Sequence, residues 1–377
     1  MIDGEYKHVM SANFGDYNTG LKGATAGDIY VNTVDTKSNA IIDANGKYMF
    51  YIASARSANV TMQDLTIKNA GKNVSDGVKG VTTSETAGSV FNIFAGKVSL
   101  TNVRFTNNED VAFLLGSGTA TLKNVTFDYS SDGNSIVNQS IENPSTYDAL
   151  TIMGSTLNSD ITNQGYMLIK SDNGVNSVIG SNATFTSKFE SEDSGATPRA
   201  TMDGVTFNGA LDNTNGEIYF ASSTIESANT LLNAATLMFN SGNTLQRGTL
   251  TNDADGEITF AVSTDNKLNS NFSIANEGTL NINGILTIDG GSTSNTNNGE
   301  YILTPHMKSR AINHIDYAFI THADSDHTNG ILYLFDNESD MDIYNLVMPV
   351  NAIGDNKFNK LKLAAMNQGT KIIYAEE

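Results

Sequence analysis

The chain has 377 residues, long enough for two or three average domains or one long repeat array. It holds 22 Lys and Arg against 41 Asp and Glu, a formal net charge of −19, which ill suits most of its surface to coating nucleic acid or an anionic membrane. Cys is absent, which excludes a disulfide framework and Cys-ligated metal or thiol chemistry, and charged residues make up only 17%, the polar remainder being mostly Asn, Thr, Ser and Gly.

The opening segment MIDGEYKHVM has neither the basic region nor the apolar core of a signal peptide, and no run approaches the roughly 18 apolar residues of a membrane helix. No membrane span is expected. Residues 1–45 are irregular and are expected to form early coils or a cap. A short pattern then recurs. Val60, Met62, Leu65 and Ile67 are apolar in NVTMQDLTIKNA, and Val98, Leu100, Val103 and Phe105 fill the same offsets in KVSLTNVRFTNN. Ala120, Leu122, Val125 and Phe127 repeat it, as do Ala200, Met202, Val205 and Phe207, with a weaker copy at Leu150, Ile152 and Leu157. Later copies keep the first pair: Ile218 and Phe220, Leu237 and Phe239, Ile258 and Phe260, Leu280 and Ile282.

Apolar residues two apart predict a strand with one buried face. The wider step inside each unit often carries Asn, Asp or Gly (Asn102, Asn124, Gly204), so each unit reads as strand, corner, strand. From Ala200 the units begin 18, 19, 21 and 22 residues apart. Periods near 20 without helical spacing predict a β-solenoid, in which stacking makes the core continuous. Asn, Ser, Thr and Gly are poor in helix interiors, so helix is nearly excluded before residue 285. Gly71–Gly88 lacks the pattern and reads as a loop inserted between coils.

This pattern resembles the right-handed parallel β-helices of bacterial surface proteins, autotransporter passengers and pectin-lyase-like proteins, over about residues 1–284. The resemblance implies a structural or adhesive role, an extracellular or cell-surface location, and a surface ligand or glycan as partner. A polysaccharide-cleaving solenoid would need clustered carboxylates with Lys or Arg on one face. The five Arg, at 56, 104, 199, 247 and 310, form no such column. Asn and Thr read as stacked ladders and corners, and Tyr and Phe at coil positions as core rather than sugar platforms.

The texture changes near residue 285, and four of the five His follow it. IDYAFIT predicts a buried strand, THADSDHTNG a polar loop, ILYLFDN the start of a helix, and NLVMPV another buried strand. Phe358, Leu361, Leu363, Ala364 and Ala365 lie on a predicted helix that stops near Gln368-Gly369, before a final strand in KIIYAEE. This order is α/β, so the expected division is 1–284 and 285–377. Within the loop, His322, Asp324, Asp326 and His327 spell H-x-D-x-D-H at a strand end. Imidazole and carboxylate suit Zn²⁺, Mn²⁺ or Fe²⁺, and a helix starting just after would favour an anionic substrate group. His306 and His314 are expected to face solvent.

Residues 285–377 resemble the front part of a metallo-β-lactamase fold, in particular the hydrolase domain of ComEC-type competence proteins. The resemblance rests on Ile288-Asp289-Gly290-Gly291, Pro305 with Lys308, Ile315-Asp316, and Thr321 through Gly330, in that order. It implies a two-metal hydrolase of phosphodiesters, DNA among them, using Zn or Mn. His322 would bind one metal, and Asp326 and His327 the second. Asp324 would serve as ligand or proton carrier, and Asp289 would order the site. No His follows His327, so the family's later ligands are not in this chain.

Overall fold

The computed structural model describes residues 5–7, 12–14, 28–31, 40–44, 46, 50–52, 59–71, 89–131, 133–188, 196–261, 265–283, 285–288, 297, 299–309 and 313–375. The protein is mainly β. One sheet of 30 strands runs from Glu5–Lys7 to Ile285–Ile288, and its rung-to-rung pairings are parallel. Most of its strands pair with the strand three places further on in the chain, the wiring expected when successive coils stack. Early coils are present: Glu5–Lys7, Ala12–Phe14 and Asp28–Val31 pair with Ala40–Asp43, Phe50–Ile52 and Asn59–Lys68. The Gly71–Gly88 insertion lies, after Gly71, outside the described residues. Among the described residues before 285 there is no helix.

The register follows the apolar pattern pair by pair. Val60, Met62, Leu65 and Ile67 stack on Val98, Leu100, Val103 and Phe105. Val98 and Leu100 continue through Ala120 and Leu122 to Leu150 and Ile152. Further on, Ala200 and Met202 lead to Ile218 and Phe220, then Leu237 and Phe239, Ile258 and Phe260, and Leu280 and Ile282. One rung was not anticipated. Met167 and Ile169, on Tyr166–Lys170, sit between the Leu150 and Ala200 copies. Its corner is lengthened by Ser171–Asn176, which delays the partner residue to Ile179 and hides the spacing.

The step inside each unit is a corner that requires left-handed backbone. Asp64, Asn102, Asn124, Gly154, Gly204, Ser222 and Gly242 all have φ between 48° and 73° there. Asn, Asp and Gly tolerate that region, which explains their recurrence. Corner side chains bond along the stack: Asn124 Nδ2 donates to Asn102 Oδ1 (2.6 Å), and Asn102 Nδ2 to Asp64 Oδ1 (2.8 Å).

The core holds two further ladders. Phenylalanine rings stack from rung to rung, with centroids 4.3 Å apart for Phe105–Phe127, 5.6 Å for Phe220–Phe239 and 4.9 Å for Phe239–Phe260. Buried asparagines form the second. Asn138 donates to Asn163, Asn213 to Asn233, Asn233 to Asn252 and Asn252 to Asn276, at 2.6–2.8 Å. A buried amide must be bonded on both sides, and a stack of identical amides achieves this without water. Ser187 occupies the ladder position between Asn163 and Asn213, and its buried hydroxyl has no hydrogen-bond partner among the described residues.

The chain divides into two compact units: Met1–Lys267 with Asn271–Leu286, and Leu268–Ser270 with Thr287–Glu377. In the second, His314–Phe319, Asp342–Pro349 and Lys371–Ala375 form a three-stranded parallel sheet in chain order. Helices Ser325–Asn337 and Asn359–Asn367 connect the strands, and Gly369 (φ +73°) ends the second helix, as predicted. Ala318, Ile320, Leu334, Leu346, Met348 and Leu361 lie in one buried core. The first strand departs from expectation. Ala318 and Ile320 are buried, but Tyr317 and Phe319 are 56% and 70% exposed. Alternate residues of a strand point to opposite faces, and here one side of the strand is left to solvent. No helix of the described residues is long and apolar enough to cross a membrane.

Candidate functional site

The H-x-D-x-D-H stretch lies where the first strand of the small sheet meets its helix. The Ile320 amide donates to the Val347 carbonyl (2.9 Å), so the chain stays in register with the central strand until just before the motif. The helix begins at Ser325, six residues earlier than the apolar pattern predicted. Asp324 is its N-cap residue, with extended backbone (φ −67°, ψ 148°). Its carbonyl accepts from the His327 amide (3.0 Å) and from Thr328 Oγ1 (3.1 Å). Asp324 thus holds the N-cap position through its backbone carbonyl, with no side-chain cap bond. His327 is therefore on the first helical turn rather than in a loop.

This geometry gathers three of the predicted residues. The His322 and His327 rings lie with centroids 3.8 Å apart at 46°. His322 Nε2 is 3.8 Å from Asp324 Oδ2, and His322 Nδ1 is 3.0 Å from Thr321 Oγ1. Asp324 makes no side-chain cap bond to the helix, so its carboxylate faces His322 instead. His322 and Asp324 are largely exposed, and His327 is half-buried. Asp326 is on the first helical turn, but its side chain lies outside the described residues, as does Asp289. Among the described residues no group of three His, Asp or Glu side chains is placed to hold one ion.

Thr321 and Thr328, which the sequence reading did not single out, brace the cluster from either side. Their signal was only adjacency to the motif. His314 is exposed, as expected, and stacks on Tyr344 with centroids 5.2 Å apart. Lys308 pairs with Glu338 (2.6 Å), the residue that follows the helix, and that hydrogen bond raises the Lys308 pKa. It thus ties the segment before the sheet to the helix C-terminus.

Comparison of the chain with protein-family models, with curated proteins and with solved structures finds no match.

Proposed function

We propose that the chain is a right-handed parallel β-helix of the bacterial surface type, serving as a structural or adhesive module outside the cell or at its surface. One observation carries this reading: from Arg199–Asp203 through Thr279–Ile282 one face of the parallel stack keeps its register rung after rung, with phenylalanine and asparagine ladders inside. Such a stack is stiff along its axis and presents long repetitive faces, which suits display and attachment. The partner would be a surface ligand or glycan. The test is retention of the labelled protein on bacterial and host cell surfaces, with the double variant Asp326→Ala/His327→Ala beside it. Equal retention of both is expected. No retention on any surface, or retention lost in the double variant, would overturn the reading.

A second reading is favoured by the His322, Asp324 and His327 cluster at a strand end and helix start. It is a metal-dependent phosphodiesterase or nuclease resembling the front part of the ComEC-type metallo-β-lactamase domain. His322 and Asp324 on one side, and Asp326 and His327 on the first helical turn, are the groups that would hold Zn or Mn. Imidazole with carboxylate suits those ions, and a bound pair of metals would supply an activated water and a phosphate clamp. Asp289 would order the site, and DNA would be the substrate. The test is metal content per chain after purification without chelator, with DNase activity measured in parallel. About one or two ions per chain, lost in His322→Ala together with any activity, would support this reading; no metal in either protein would dismiss it.

A further inference from the structure

One part of the solenoid breaks its own regularity. Asp110–Leu115, Gly133–Asn138, Ile161–Asn163 and Thr184–Ser187 stack in parallel along one lateral face. Between the first two, the register slips at Ser135/Ile136, a β-bulge. Asp110 is left-handed (φ 50°), and a Cβ at Gly133 (φ +126°) would stand 2.3 Å from the Asp110 carbonyl oxygen, so only glycine fits. The result is a groove of about 450 Å³, lined chiefly by Asp110, Tyr129, Ser135, Asp160, Thr162 and Asn182.

The groove is firmly built from below. Asn134 is fully buried, and its Nδ2 donates to the carbonyls of Phe105 (3.0 Å) and Asp128 (2.7 Å). Ser159 Oγ donates to the same Asp128 carbonyl (2.6 Å). These bonds fix the residue before Tyr129. Tyr129 itself stands 59% exposed, in contrast to the expectation that ring residues of the coils belong to the core. Asp160 Oδ1 accepts from the Thr184 amide (2.8 Å), which holds its carboxylate at the wall.

We infer that this groove binds neutral oligosaccharides. A tyrosine ring offers an apolar face with a polar tip, suited to the C–H face of a pyranose. Carboxylates only accept hydrogen bonds and so match adjacent sugar hydroxyls, while Ser, Thr and Asn both donate and accept. A few fixed polar groups around an apolar platform is how small-ligand sites gain orientation. The sign of charge excludes acidic sugars: two carboxylates line the groove, no Lys or Arg is among its described lining residues, and the whole chain carries −19. The assignment rests on the adhesive reading for its biological setting, but its chemistry is testable alone.

The protein is titrated calorimetrically with maltohexaose, cellohexaose, mannohexaose and hexagalacturonate. Tyr129→Ala, Tyr129→Phe and, as an exposed ring of the C-terminal unit, Tyr301→Ala are titrated alongside, and circular dichroism checks each fold. At least one neutral hexaose is expected to bind, about tenfold more weakly to Tyr129→Ala, less weakened in Tyr129→Phe, which keeps the ring, and as in the parent for Tyr301→Ala. Binding of no neutral hexaose, preference for hexagalacturonate, or unchanged affinity in Tyr129→Ala would each overturn the inference. Cell retention is scored separately: if it survives in a Tyr129→Ala protein that has lost hexaose binding, adhesion stands and its surface lies elsewhere.

Discussion

The solenoid and the C-terminal unit solve the same problem, burying apolar strands, by opposite means. In the solenoid each strand is covered by copies of itself above and below, so its contacts repeat from rung to rung. In the C-terminal unit three parallel strands share a core with the helices that connect them, and Tyr317 and Phe319 remain largely exposed. Repetition makes stability a sum of similar neighbour terms, whereas the small α/β core stands or falls as one piece.

Truncating one ring of the solenoid and one side chain of the small core would test that contrast most severely. Phe239 is fully buried and stacked between Phe220 and Phe260. Phe239→Ala should cost about 3–5 kcal/mol, and Leu346→Ala, also fully buried, about 2–5 kcal/mol. The distinguishing measurement is hydrogen exchange by mass spectrometry. Phe239→Ala should loosen adjacent rungs first and leave 313–375 protected; Leu346→Ala should expose 313–375 together and leave the rungs unchanged. Uniform loosening of the whole chain by either variant would break the contrast.

Ser187→Asn offers a smaller effect in the stabilising direction. Position 187 is in register with Asn163 and Asn213, and its buried hydroxyl has no partner among the described residues. An amide there would join the two halves of the ladder, for a gain of about 1 kcal/mol read from denaturant unfolding. Destabilisation instead would mean that the ladder tolerates no further member at this rung.

The smallest effect is confined to alkaline solution. Arg199 lies between the rings of Tyr147 (4.0 Å) and Tyr219 (4.1 Å). Burial, with a hydrogen bond donated to Glu217 (2.9 Å), pushes the Tyr219 pKa up to about 12 from an ordinary 10. The folded protein therefore holds this proton more tightly than the unfolded chain. Stability from this group is fully present below about pH 10 and falls as pH rises towards about 12. Tyr219→Phe should flatten that decline in a pH series of thermal unfolding midpoints. An equal slope in both proteins would show that other groups govern it.

Legibility differed between the two regions for a physical reason. A rung is specified locally, by apolar residues two apart and a left-handed corner, so the sequence pattern of Val60 through Ile282 translated directly into register. The Tyr166–Lys170 rung escaped because its corner carries extra residues, which changes spacing without changing the fold. In the C-terminal unit the order of elements was legible, but the start of its first long helix was not. Apolar spacing pointed to Ile331, while the helix starts at Ser325, in a polar stretch with no apolar period, and so carries His327. The proximity of His322, Asp324 and His327 was readable as a motif. The groove beside Tyr129 was not, because it arises from a register slip that no residue spacing announces.

The side-chain ladders also have a direction. In the buried column each amide donates towards the C-terminal end, from Asn213 through Asn233 and Asn252 to Asn276. At the corner the sense is reversed: Asn124 donates to Asn102 and Asn102 to Asp64, while a neighbouring column runs from Asn107 through Asn69 to Asp43. Both reversed columns end on a carboxylate, which can accept but not donate. An amide in place of Asp64 or Asp43 would add a donor that the carboxylate lacks. Among the described residues the two aspartates thus act as chain terminators for a directional relay of amides, and opposed relays let side-chain dipoles along the stack offset one another. A rung could be duplicated or lost within either column without disturbing this polarity, which gives such a protein a simple route to changing its length.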